Sequence, residues 1–231
     1  MRKAFFIFLV IAFLFAEIIL TFNETLGVLL YALLVGLILF DLEEYEHLIH
    51  SDKLLVFLAI VPIARIGEFF IDFNFFWKTA VFYFAISFLV IYYTRSLKIN
   101  PGYKTGNLWF FPVSIIIGVF LSYIGSLYFD FGKHFELIFI LPFIVFSEEI
   151  LFRGMIQNYA KKSYGSLFAI ITTSILFAIF SLSFGFKFLY FIFAANLIMC
   201  LIYDRTENIL LTIPINLCIN LFLFVSVLPI L

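Results

Sequence analysis

One segment of the chain, Ser147-Glu148-Glu149-Ile150-Leu151-Phe152-Arg153-Gly154, sets two adjacent carboxylates and a guanidinium into a strongly apolar stretch. Ionisable groups inside lipid are expensive, and they mark function more often than packing. On a helix, neighbouring residues point about 100° apart. Glu149 and Arg153, four apart, therefore share a face and can pair, while Glu148 projects elsewhere without that partner. A carboxylate left in low dielectric beside water has the chemistry of a general base. The same residues would also serve a conformational switch or a proton site in a transporter.

Other charges are weaker candidates. Arg65 and Glu68 are three apart and can neutralise each other as a structural ion pair. Glu17 either holds a proton or pairs with Arg65, and no chemistry is assigned to it. Residues 43–50, Glu-Glu-Tyr-Glu-His-Leu-Ile-His, put Glu43 with His47 and Glu46 with His50 at helical spacing. That face could bind a metal, but an acidic surface loop explains it as well. No metal and no cofactor is expected at the Glu pair. Its only histidines, His47, His50 and His134, all lie upstream, and zinc takes three or four His, Cys or carboxylate ligands. Cys200 and Cys218 fall in apolar spans and read as small buried hydrophobes.

The elements that must position the Glu pair follow from composition. Of 231 residues, 65% are hydrophobic, 13% are charged and 36 are Phe. Globular domains average about 45–50% apolar, so this is an all-α polytopic membrane helix bundle. Its first partner is the lipid bilayer. The net charge of −1 leaves no basic field for nucleic acid. Candidate spans cover 4–22, 26–40, 54–71, 75–93, 108–129, 135–157, 164–182, 186–203 and 207–229, giving eight or nine transmembrane helices. Glu17 interrupts the first apolar run and no small-x-small cleavage site follows, so the run reads as a retained helix. A cytoplasmic N-terminus puts Arg2, Lys3, Lys53, Arg95, Lys98, Lys104, Lys161, Lys162 and Arg205 inside. Only Lys78, Lys133 and Lys187 are then outside, as the positive-inside rule favours. Tyr103, Lys104 and Trp109 look like interfacial anchors, and Asn196 is expected to hydrogen-bond a neighbouring helix.

The segment Glu148-Glu149-Ile150-Leu151-Phe152-Arg153-Gly154 resembles the E-E-x-x-x-R signature of the CPBP family, the CAAX proteases and bacteriocin-processing (Abi) enzymes. Residues 174–181 lie where that family has F-x-x-x-H, and 216–220 where it has H-x-x-x-N. The resemblance covers roughly 140–222. It divides the chain into helices 1–130 without a recognised motif and core helices 131–231. It implies a multi-pass intramembrane endopeptidase of the cell membrane, acting on a membrane-associated protein or peptide. Glu148 would activate water, Glu149 and Arg153 would organise the helix, and Asn220 would stabilise the oxyanion. Ser181 and Asn216 stand in the places of the two family histidines. Asn216 still offers amide donors to an oxyanion, whereas Ser181 holds water without titrating near neutrality. Cleavage is expected near the cytoplasmic membrane boundary. The histidine losses also admit a non-catalytic member that binds membrane peptides, as in bacteriocin self-immunity. A proton-coupled transporter ranks third, because no internal repeat is visible.

Overall fold

The computed structural model describes residues 3–43, 50–70, 75–102, 110–128, 138–182, 186 and 189–225. These form nine helical rods and, among the described residues, no strand. The rods are α1 (Lys3–Phe22), α2 (Glu24–Glu43), α3 (His50–Phe69), α4 (Phe75–Ser96) and α5 (Phe111–Tyr128). A continuous rod follows, made of α6 (Leu141–Glu148), a π-helical segment (Glu149–Gln157) and α7 (Asn158–Tyr164). The chain closes with α8 (Ser166–Phe180), α9 (Leu189–Thr206), a 3₁₀ turn (Ile209–Leu211) and α10 (Thr212–Val225). Each expected span coincides with one rod. Helices are the answer here because a helix satisfies its own backbone hydrogen bonds where lipid offers none.

Among the described residues, four helices are long and apolar enough to cross a membrane: Lys3–Phe22, Glu24–Asp41, Phe76–Ser96 and Leu189–Thr206. Three shorter apolar helices accompany them. The remaining two, α3 and the long rod, carry Arg65, Glu68, Glu148, Glu149 and Arg153, while Glu17 lies buried in α1. The rods are punctuated by local chemistry. Asn23 ends α1 and starts α2, its Oδ1 accepting from the Leu26 N–H at 3.0 Å, as an N-cap does. Gly165 separates α7 from α8 at φ +90°, a conformation that glycine adopts without steric cost.

Sequential helices pack as neighbours from α1 to α4, and α8 packs on α9. α10 crosses the chain to lie against α5. There Gly118 lets the backbones meet, since a Cβ would sit 2.9 Å from Ile215 Cα. The N-terminal and C-terminal helices share one core. α1 packs on α8, α3 on α7 and α4 on α6, and one apolar cluster runs from Phe13, Tyr31 and Phe57 to Leu151 and Met155.

Apart from Lys78 and the buried Arg65 and Arg153, the described cations cluster at one end. Lys3 lies over Phe168, and Lys53 and Lys162 lie over Tyr159. Lys161 pairs with Asp204 at 3.0 Å, and Arg95 and Arg205 stand in the last turns of α4 and α9. Lys98 follows α4 directly. At the other end the described residues hold Lys78, paired with Glu24 at 3.6 Å. Arg2, Lys104, Lys133 and Lys187, the anchors Tyr103 and Trp109, and the 43–50 metal-like face lie outside the described residues or side chains.

Candidate functional site

The Glu pair sits at the junction where the long rod changes winding. Glu148 is the last residue of α6 and Glu149 the first of the π segment. The Asn158 N–H reaches back to the Arg153 carbonyl, five residues away. π winding is rare and is frequent at functional sites. All nine residues of this segment are buried. Gly154 is required within it, because a Cβ there would lie 2.7 Å from Pro101 Cβ and 3.0 Å from the Pro101 carbonyl.

As expected, Glu149 and Arg153 form an ion pair, at 3.1 Å, and both are fully buried. Arg153 also donates to Asn196 Oδ1 on α9, so the expected interhelical bond of Asn196 is made to the motif itself. The Arg153 guanidinium lies 5.0 Å from the Phe177 ring centroid.

The structure adds partners to two expectations. Glu148 is not unpartnered: its Oε1 accepts from the Tyr83 hydroxyl of α4 at 2.7 Å and its Oε2 from Asn216 Nδ2 at 3.0 Å. Rotation of α6 carries it away from Arg153 but into contact with two other helices. Nor are the amides of Asn216 and Asn220 free for an oxyanion. Asn216 Nδ2 also donates to Glu149 Oε1 at 2.8 Å, so its two hydrogens are spent on the two carboxylates. Asn220 Nδ2 donates to Asn216 Oδ1 at 2.7 Å and to the Asn216 carbonyl at 3.1 Å. The chain of bonds runs from the Asn220 amide through Asn216 to the carboxylate oxygens, which accept. Asn220 therefore seats Asn216, and Asn216 clamps Glu148 to Glu149.

Ser181, just past the end of α8, comes to the same place. Its hydroxyl donates to the Phe177 carbonyl at 2.9 Å. Glu148, Phe177 and Ser181 are shared by two small cavities. One is aromatic and apolar, bounded by Phe82, Tyr83 and Phe180. The other is bounded by Asn196, Asn216 and Asn220. Each leaves ≈ 20 Å³ in which a water centre can sit, enough for about one water.

A second polar cluster braces this site. Arg65 pairs with Glu68 at 2.8 Å, as the spacing predicts, and with Glu17 at 3.3 Å, one of the two alternatives left open for Glu17. It also donates to the Phe180 carbonyl at 3.2 Å and lies over the Phe82 ring at 4.4 Å. A cation here satisfies an open carbonyl at the C-terminus of α8, next to Ser181. Sequence reasoning missed Tyr83. The available signal was a lone hydroxyl between Phe82 and Phe84 in a span, since a buried tyrosine tip usually needs a partner.

Residues 130–222 match the family model of Type II CAAX prenyl endopeptidase Rce1-like proteins. At the level of the family these are membrane peptidases of the CAAX-protease type. No curated protein and no solved structure matches the chain.

Proposed function

With residues 130–222 matching the Rce1-like family of type II CAAX prenyl endopeptidases, we propose that the protein hydrolyses a peptide bond of a membrane-associated protein or peptide, using water activated by Glu148. The observation that carries this is a buried carboxylate gripped from two sides and bordered by two water-sized cavities. A carboxylate offers about four acceptor positions. Tyr83 and Asn216 use two, which leaves two for water. Glu149, Arg153, Asn216 and Asn220 act as positioning residues: the ion pair holds the π segment, and the amide chain transmits its geometry to Glu148. Ser181 offers the water a hydroxyl but no titratable ring, so Glu148 works as base without a histidine.

The test uses purified protein with a quenched fluorescent farnesylated CAAX peptide, run beside a library of unprenylated membrane peptides. Cleavage by the wild type and its loss in Glu148→Gln is the expected result. Unchanged cleavage by Glu148→Gln refutes the assignment. A second reading, a non-catalytic protein that binds membrane peptides, is favoured by Ser181 and Asn216 standing where the family has histidines. It requires that the wild type cleave neither probe.

The cation cluster supports a cytoplasmic N-terminus. With that orientation, Glu148 lies in the half of the long rod away from the cytoplasmic end. Glu148 lies about 10 Å along the rod from Leu141, at about 1.5 Å per residue, whereas the basic end is the Tyr164 end. The reacting bond is therefore proposed nearer the boundary opposite the N-terminus. Labelling of Lys98→Cys by an impermeant thiol reagent added outside intact cells would reverse both statements.

A further inference from the structure

We propose that Tyr83 is a catalytic residue of this site: its hydroxyl holds Glu148 in the resting state, then passes its hydrogen bond to the oxyanion that forms on the substrate. The inference rests on the peptidase reading above and concerns a residue outside the segment matched to the family.

The argument is an accounting of donors. A tetrahedral oxyanion needs a hydrogen-bond donor aimed at it. Both hydrogens of Asn216 are directed to Glu148 and Glu149. The Asn220 amide is directed to Asn216. The Ser181 hydroxyl and the Asn196 amide donate into their own helices, and Arg153, turned toward Glu149 and Asn196, lines neither cavity. Tyr83 differs from these. It donates to Glu148 Oε1 at 2.7 Å and it lines the aromatic cavity beside Glu148 and Ser181. Its acceptor is the group whose charge changes during the reaction; Asn216 shares that acceptor, but its amide is held a second time by Glu149 and Asn220, whereas the Tyr83 hydroxyl donates to Glu148 alone.

The water oxygen bonds to the peptide carbonyl carbon, the carbonyl π pair moves to oxygen, and the water proton goes to Glu148. Negative charge thereby leaves Glu148 and appears on the substrate oxygen. Hydrogen bonds to an ionised acceptor are roughly twice as strong as neutral ones, so the Tyr83 O–H follows the charge. When the intermediate collapses, the C–N bond breaks with its pair going to nitrogen. Glu148 returns its proton to that nitrogen, and the Tyr83 O–H returns to the carboxylate. No atom of Tyr83 is consumed.

The experiment compares wild type, Tyr83→Phe, Glu148→Gln and a series in which Tyr83 is replaced by ring-fluorinated tyrosines of increasing acidity. The probe is the same quenched farnesylated peptide, or the membrane peptide that the wild type cleaves. Tyr83→Phe is expected to lose about 10²–10³ in kcat, the cost of one oxyanion donor, with KM changed by less than about threefold. The fluorinated series should show kcat varying monotonically with phenol acidity, which a packing role would not produce. Full kcat in Tyr83→Phe together with an inactive Glu148→Gln overturns this inference and leaves the peptidase reading standing. If Tyr83→Phe does not fold, a flat kcat across the shape-preserving fluorinated series overturns it. A wild type that cleaves nothing, or an active Glu148→Gln, overturns both.

Discussion

Asn216→Leu removes the clamp between the two carboxylates while keeping similar bulk. Asn216 is 2% exposed and donates to Glu148 at 3.0 Å and Glu149 at 2.8 Å. Hydrogen bonds to charged groups contribute about 1.5–3 kcal/mol each, so two of them set the loss at about 3–6 kcal/mol. Neutral hydrogen bonds between membrane helices average about 0.6 kcal/mol, and two would give only about 1.2 kcal/mol. The difference is large enough to measure by reversible unfolding in detergent micelles. Double-mutant cycles with Glu148→Gln and Glu149→Gln then locate the energy. Gln keeps an acceptor oxygen and removes the charge, which supplies about half of a charge-assisted bond. Each coupling is therefore expected at about 0.7–1.5 kcal/mol. A loss of about 1.2 kcal/mol or less for Asn216→Leu, with couplings under about 0.3 kcal/mol, would refute the clamp.

Two further perturbations test the frame around it. Arg153→Met strands the fully buried Glu149 and should cost about 3–5 kcal/mol. Most of that should return in Arg153→Met with Glu149→Met, since a buried pair replaced by apolar side chains is often neutral; melting in detergent reads both, and an unaffected single variant contradicts the pairing. Gly154→Ala forces a Cβ against Pro101 and should destabilise by about 1–3 kcal/mol. Gly36→Ala in α2 meets nothing within 4 Å, so the same change there should stabilise by about 0.5–1 kcal/mol; equal melting shifts would contradict the tight π-segment contact.

Much was legible in the sequence because it depends on local order alone. Continuous Leu-, Ile- and Phe-rich runs specify helices in a bilayer whatever their neighbours, and each of the nine candidate spans coincides with a rod among the described residues. The i,i+3 and i,i+4 spacings of Arg65 with Glu68 and of Glu149 with Arg153 likewise survived, since one helix fixes both partners. The clustering of Glu148, Glu149 and Arg153 in an apolar run pointed to the site without any fold.

Only the tertiary structure decided who completes that site. A helix that is apolar nearly all round does not announce which face it buries: α1 buries Phe13 and exposes Phe15, and α2 buries Leu34 and exposes Leu33. The partners of Glu148 are set by the rotation of α4 and α10 about their axes. That rotation brings Tyr83 from 65 positions away and Asn216 from 68. Spacing placed Asn216 and Asn220 on one face but could not say that their amides would turn toward the carboxylates and each other. Sequence fixes which groups are too costly to leave alone in lipid; packing selects the partners that relieve that cost, because it depends on distances that no linear pattern contains.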